Sequence, residues 1–140
     1  THGYNAGSRP TNNTIDKWPF ASDTNATDVG DLTLSRTYPA GQSSTTHGYS
    51  SGGNSGSYND RIDKFTFATD ADATDVGNLT VAKHVCGGNS STTHGYTTSG
   101  SRSGIPYTDV IEKFTFATDA DATDVGDLTV AKNAVAGTQK

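Results

Sequence analysis

Apolar and polar positions alternate with period two over short stretches, and the same stretches return three times along the chain. In Ile62-Asp63-Lys64-Phe65-Thr66-Phe67-Ala68-Thr69, Phe65 and Phe67 share one side while Lys64 and Thr66 share the other. Leu79–Lys83 alternates likewise, and Leu32–Arg36 repeats it with Leu34 in place of Val81. Both stretches predict strands. The run Thr69–Gly77, rich in Asp, Ala and Thr, predicts a turn between them. A third strand is expected through Ser43–Tyr49, and a weaker one through Tyr38-Pro39-Ala40 and its equivalents. No window holds the i, i+3, i+4, i+7 apolar spacing of a helix.

Three landmarks fix the repeat. Thr-His-Gly-Tyr begins at Thr1, Thr46 and Thr93. An Ile-acid-Lys-aromatic motif begins at Ile15, Ile62 and Ile111, and Asp-Val-Gly-[Asp/Asn]-Leu begins at Asp28, Asp75 and Asp124. The units are expected at residues 1–45, 46–92 and 93–140. From the Ile to the Val of the third landmark is 14 residues in every unit, and from that Val to the next His is 18. From His to Ile, however, the separation is 13, then 15, then 17. A packed frame resists insertion and a surface loop accepts it. Residues 5–14, 50–61 and 97–110 are therefore expected to be variable loops on one face. The spacing places a further His at 143, so the chain reads as a segment of a longer array or as one that joins other copies head to tail.

Four short strands in about 47 residues suit an all-β repeat, with a β-propeller blade first and a β-prism or stacked β-fibre second. Composition supports repetition over a single large core. Leu, Ile, Val and Phe together supply 21 of 140 residues, and the net charge is −5. So little apolar side chain must be buried many times between neighbours rather than once at a centre. The single Cys86 excludes an internal disulfide. The acidic balance, with no basic run, argues against nucleic acid, and no apolar stretch is long enough for a membrane helix.

The run Ser43–Gly53, with Ile62–Asp70 after it, resembles a kelch-type repeat, in which Gly-Gly closes one strand and a charged-aromatic strand follows. Gly52-Gly53 is the intact pair; Ala6-Gly7 and Ser99-Gly100 stand at the equivalent places. The whole unit is similar to the tandem kelch-like repeats of bacteriophage tail and fibre proteins. That resemblance implies propeller blades and a place on a virion surface or elsewhere outside the cell. Kelch-type rings hold about four to eight blades, so three would be completed by other copies or by a longer chain.

Candidate chemistry is sparse. Asp70, Asp72 and Asp75, and likewise Asp119, Asp121 and Asp124, offer oxygen ligands at a spacing that a Ca²⁺ loop could use. A hairpin turn capped by its own Asp and Thr side chains explains the same residues. No cofactor other than that calcium is expected. His2, His47 and His94 are equivalent and read as strand histidines that hydrogen-bond locally, with a metal or pH role as the alternative. The aromatics at 18, 65 and 114 and at 20, 67 and 116 read as core between units. The variable segments hold Arg9, Tyr58, Asp60, Arg61, Arg102, Tyr107 and Asp109, and Tyr and Arg among Gly, Ser and Asn make adaptable binding surfaces. No nucleophile elbow, phosphate loop or zinc-protease motif occurs. The expectation is a non-enzymatic structural and adhesion module that grips a ligand, such as a surface glycan, through loops on one face. A lectin built as a six-bladed ring from two chains is the alternative.

Overall fold

A computed structural model describes residues 2–138. Thr1, which opens the first Thr-His-Gly-Tyr motif, lies outside them. Among the described residues there are eleven strands and no helix, so none is long and apolar enough to cross a membrane. The strands form three separate antiparallel sheets. The first holds β1 (His2–Ser8), β2 (Asn12–Pro19) and β3 (Thr27–Arg36). The second holds β4 (Ala40–Ser43), β5 (His47–Ser51), β6 (Arg61–Thr66) and β7 (Thr74–Asn78). The third holds β8 (Gly87–Ser90), β9 (His94–Thr98), β10 (Thr108–Thr115) and β11 (Thr123–Lys132). Strands run in chain order within each sheet, and no sheet closes on itself.

The expected all-β class holds; residues 1–45 hold β1 to β4, residues 46–92 hold β5 to β8 and residues 93–140 hold β9 to β11 among the described residues, but the sheets are offset from these units. Sheets two and three take their first strand from residues that precede the Thr-His-Gly-Tyr motif. Sheet one has no such strand among the described residues, so β1 is its edge. The strand expected through Ser43–Tyr49 is also two strands joined by a turn. Ser44 explains the break. Its hydroxyl accepts from the backbone N–H of Thr46 (3.2 Å) and of His47 (3.0 Å), and its own N–H donates to His47 O (2.9 Å). Ser91 does the same with Thr93 and His94. A serine that bonds its own backbone offers the chain a turn in place of a ladder.

The turn expected over Thr69–Gly77 is shorter than drawn, because Thr74–Asn78 pairs with β6. Ile62 faces Gly77 while Asp63 faces Asp75, so one extra residue bulges from β7 at Val76. The same slip occurs between Ile111 and Glu112 opposite β11. Beyond the bulge, Leu79–Lys83 leaves the ladder, whereas the equivalent residues continue within β3 and β11.

Alternation along β6 divides the protein's packing in two. Asp63, Phe65 and Phe67 face the first sheet, while Ile62 and Lys64 face the third. Ile15, Leu32, Phe65 and Ala73 make one buried cluster, with Tyr4 and Phe67 packed against it. Tyr49, Ile62, Leu79, Phe114 and Ala122 make the second, with Phe116 against it. Tyr4 stacks on Phe67 at 4.7 Å, and Tyr49 stacks on Phe116 at 4.8 Å. The glycine of Thr-His-Gly-Tyr follows from this packing. Gly48 lies opposite Phe65 on the neighbouring strand, and a Cβ there would meet the ring at 2.2 Å. The aromatic covers the glycine backbone and fills the space that a side chain would take.

Each interface also buries one ion pair. Arg36 of β3 meets Asp63 of β6 at 3.1 Å, with both side chains wholly enclosed. Thr33 donates to the same carboxylate from its backbone N–H (3.0 Å) and its hydroxyl (2.7 Å). One unit along, Lys83 pairs with Glu112, which also accepts from the backbone N–H and hydroxyl of Thr80. Burial pulls the Arg36 guanidinium below its usual range, opposed by the negative charge of Asp63.

Candidate ligand-binding face

The segments of variable length were expected to be loops throughout. Their ends are instead strand, and only short tips project. Arg61 and Asp109 lie on β6 and β10. The reason is backbone pairing: Ser50 and Ser51 oppose Asp63 and Ile62, and Thr97 and Thr98 oppose Glu112 and Ile111. What remains free is the tip around Pro10, the segment 54–60 and the segment 102–107.

Segment 54–60 is held by its own polar groups. Asn54 Oδ1 accepts from Gly56 N–H at 2.9 Å, and Ser55 N–H donates to Ser57 O at 3.0 Å. Segment 102–107 opens with a tight turn in which Arg102 and Ile105 exchange both backbone hydrogen bonds, at 2.9 and 3.0 Å. Gly104 supplies the left-handed residue that this turn needs, at φ +76°. Between the two segments lies a groove of about 730 Å³, lined by Asn54, Tyr58, Val81, Arg102 and Ile105 among others. Arg102 Nε is buried there without a hydrogen-bond partner among the described residues.

A row of rings continues from the groove. Tyr58 packs on His84 with centroids 4.7 Å apart, and His84 meets Tyr38 edge-on at 6.1 Å. Arg9 closes the row by donating to the Tyr38 hydroxyl at 2.9 Å. Burial lowers the His84 pKa from 6.5, since the apolar surroundings disfavour the cation. Tyr38 and His84 were not among the expected site residues. The signal that could have found them is departure from the repeat: Val85 stands where Tyr38 does, and Thr37 where His84 does.

The expected site residues thus separate. Arg9 and Tyr58 lie along this row, and Arg102 lines the groove beside Tyr58. Tyr107 is exposed in the same segment as Arg102. Asp60 and Asp109 are half-buried, and Asp60 O accepts from Leu79 N–H at 2.7 Å. Arg61 is drawn to the sheet interface, paired with Asp75 at 3.1 Å and reaching Thr33 at 3.4 Å.

The acidic turns point their carboxylates to different partners. Asp70 pairs with Lys17 at 2.8 Å, and Asp72 accepts from Asp31 N–H at 3.0 Å. Asp119 pairs with Lys64, Asp121 accepts from Asn78 N–H at 2.8 Å, and Asp124 accepts from Gly126 N–H at 3.0 Å. Among the described residues, no three His, Cys, Asp or Glu side chains converge as a metal group. His47 and His94 each bond the hydroxyl of the preceding threonine through Nδ1, at 2.8 and 2.9 Å. Burial pushes the Cys86 thiol up to about 12, so it stays protonated and weakly nucleophilic near neutral pH.

No protein-family model and no curated protein matches the chain.

Proposed function

We propose that this protein is a non-enzymatic structural and adhesion module, a rigid run of β units that presents a ligand-binding face built from its variable tips. The observation that carries the reading is the groove between segments 54–60 and 102–107, where Tyr58, Arg102 and Ile105 converge on one concave surface. An apolar ring beside a guanidinium suits a sugar, whose C–H face stacks on the aromatic while its hydroxyls accept from the cation. The repeat frame keeps those groups in place, because the tips are anchored on paired strands. Three sheets packed flank to flank are also what an arc of kelch-like propeller blades would present, completed by other copies or by a longer chain. On that reading the module belongs to a virion or another extracellular appendage, where weak single sites gain strength through repetition. A lectin of two chains is the second reading, favoured by the Tyr38–His84–Tyr58 row, which lengthens the aromatic surface beyond one sugar.

A glycan array tests both readings. Binding by the native chain that falls roughly tenfold or more in Tyr58→Ala and in Arg102→Ala supports the groove. No binding to any glycan, or binding unchanged in both variants, removes it.

A further inference from the structure

We infer that a second copy of this chain docks head to tail, with the third unit of one copy seated against the first unit of the other. The inference rests on the array reading above and is independent of the glycan reading. Its basis is that the interface between units forms twice inside the chain, while among the described residues its two halves are uncovered on the first and third units with complementary ionic and aromatic groups in place.

The acidic half is on the first unit. Asp16 is the counterpart of Asp63 and Glu112, which are fully buried against a cation of the preceding unit, yet Asp16 is only half-buried and no such cation faces it among the described residues. Trp18 and Phe20 stand where Phe65 and Phe67 do, and Phe20 is 68 % exposed. The basic half is on the third unit. Lys132 is the counterpart of the buried Arg36 and Lys83, and it is exposed. Tyr96, counterpart of the stacked Tyr4 and Tyr49, has only His94 as a ring neighbour among the described residues. Val125 and Val130 are 47 % and 63 % exposed.

Close approach makes the same point. A Cβ on Gly30 would lie 2.5 Å from Ala71 O, and one on Gly77 would lie 2.5 Å from Ala120 O. Gly126 holds the same backbone conformation with nothing within 4 Å. In the docked pair, the second copy fills the space that Ala71 and Ala120 fill at Gly30 and Gly77.

Transferring the internal pairs to the open halves gives the contacts. Lys132 meets Asp16 of the second copy, Lys113 meets its Asp23 as Lys17 meets Asp70, and Tyr96 stacks on its Phe20. Residues 134–138 add a backbone component. Ala134 N–H donates to Val85 O (3.0 Å) as Val85 N–H donates to Tyr38 O (3.1 Å), so the segment follows the path that leads into β4 and β8. β4 and β8 pair with β5 and β9, whereas 134–138 lies against β8, where Asn89 Nδ2 donates to Thr138 O at 2.8 Å, and among the described residues it joins no sheet and the outer edge of β1 is unpaired. Along that edge runs a cleft of about 1090 Å³. An extended segment laid on a free edge adds main-chain hydrogen bonds to the flank contacts. The contact is heterologous, so it closes into a ring or continues as a fibre according to the rotation per unit.

Sedimentation velocity on the native chain, on Lys132→Glu, on Asp16→Lys and on the double variant tests this. The expected result is association of the native chain, dissociation constants raised roughly tenfold or more in each single variant, and recovery in the double variant, whose charges are exchanged. Circular dichroism confirms that each variant keeps its strands. A native chain that stays monomeric at about 0.1 mM overturns the inference, since an interface of this kind should be populated there. Association that charge reversal leaves unmoved overturns it too. Tyr58→Ala, which tests the glycan groove, is expected to leave association unchanged, so the two readings fail separately.

Discussion

At the scale of single residues, glycine reports where neighbouring units touch. Gly77 sits at φ +156°, a conformation that side chains rarely adopt, and its open side is filled by Ala120 O of the next unit. Gly126 has a similar φ, +147°, and empty space. Backbone strain is therefore common to both positions, and the clash belongs to one. Gly77→Ala is expected to cost more stability than Gly126→Ala, by about 1 kcal/mol or more, in urea denaturation of the dissociated chain. Equal losses would show that strain alone sets the cost. The repeat alignment made the glycines visible in the sequence. What lay above each of them was a matter of packing.

At the scale of elements, the buried ion pairs lock successive sheets together. Arg36 ends β3 and Asp63 lies within β6, so the pair crosses from one sheet to the next. Removing one partner leaves a buried charge uncompensated, which costs more than the pair contributes. Arg36→Ala is expected to destabilise the fold by about 3–5 kcal/mol in chemical denaturation, and Asp63→Ala alongside it to recover part of that loss. Full additivity of the two substitutions would deny the coupling. The alternation that marks β2, β6 and β10 was plain in the sequence, because side-chain direction follows parity along a strand. The departure of Leu79–Lys83 from its expected strand was not. Its alternation is as regular as that of Leu32–Arg36, yet Leu79 N–H turns to Asp60 O and Lys83 N–H to Asn59 O, outside the ladder. Local pattern names the buried side of a segment and leaves its hydrogen-bond partner to the tertiary contacts of its own unit.

At the scale of the whole molecule, the row Arg9–Tyr38–His84–Tyr58 crosses from the first sequence unit to the second and ties their variable tips together. His84 resists protonation there because burial disfavours its cation. The unfolded chain then binds more protons than the folded one at pH values below the ordinary 6.5 of histidine, and stability falls as pH falls through that range. Thermal melts between about pH 7 and pH 5 should show a slope that flattens in His84→Gln. An unchanged slope would assign the pH dependence to other groups.

The sequence by itself determined the repeat, the strands around its Ile-acid-Lys-aromatic motif, which side chains share a side of those strands and where length varies between units. Period-two alternation and constant spacing are properties of order along the chain, and order along the chain is what they reveal. It also brought Arg9, Tyr58 and Arg102 forward, because insertions fall where packing is absent. The tertiary structure alone decided that Arg61 is spent on Asp75, that the acidic turns serve as clasps between sheets, and that Tyr38 and His84 join Tyr58 in one row of rings. Those outcomes depend on which unit lies beside which. Identical motifs acquire different neighbours at the two ends of an array, and no local pattern records the difference between a side chain enclosed by the next unit and the same side chain left open.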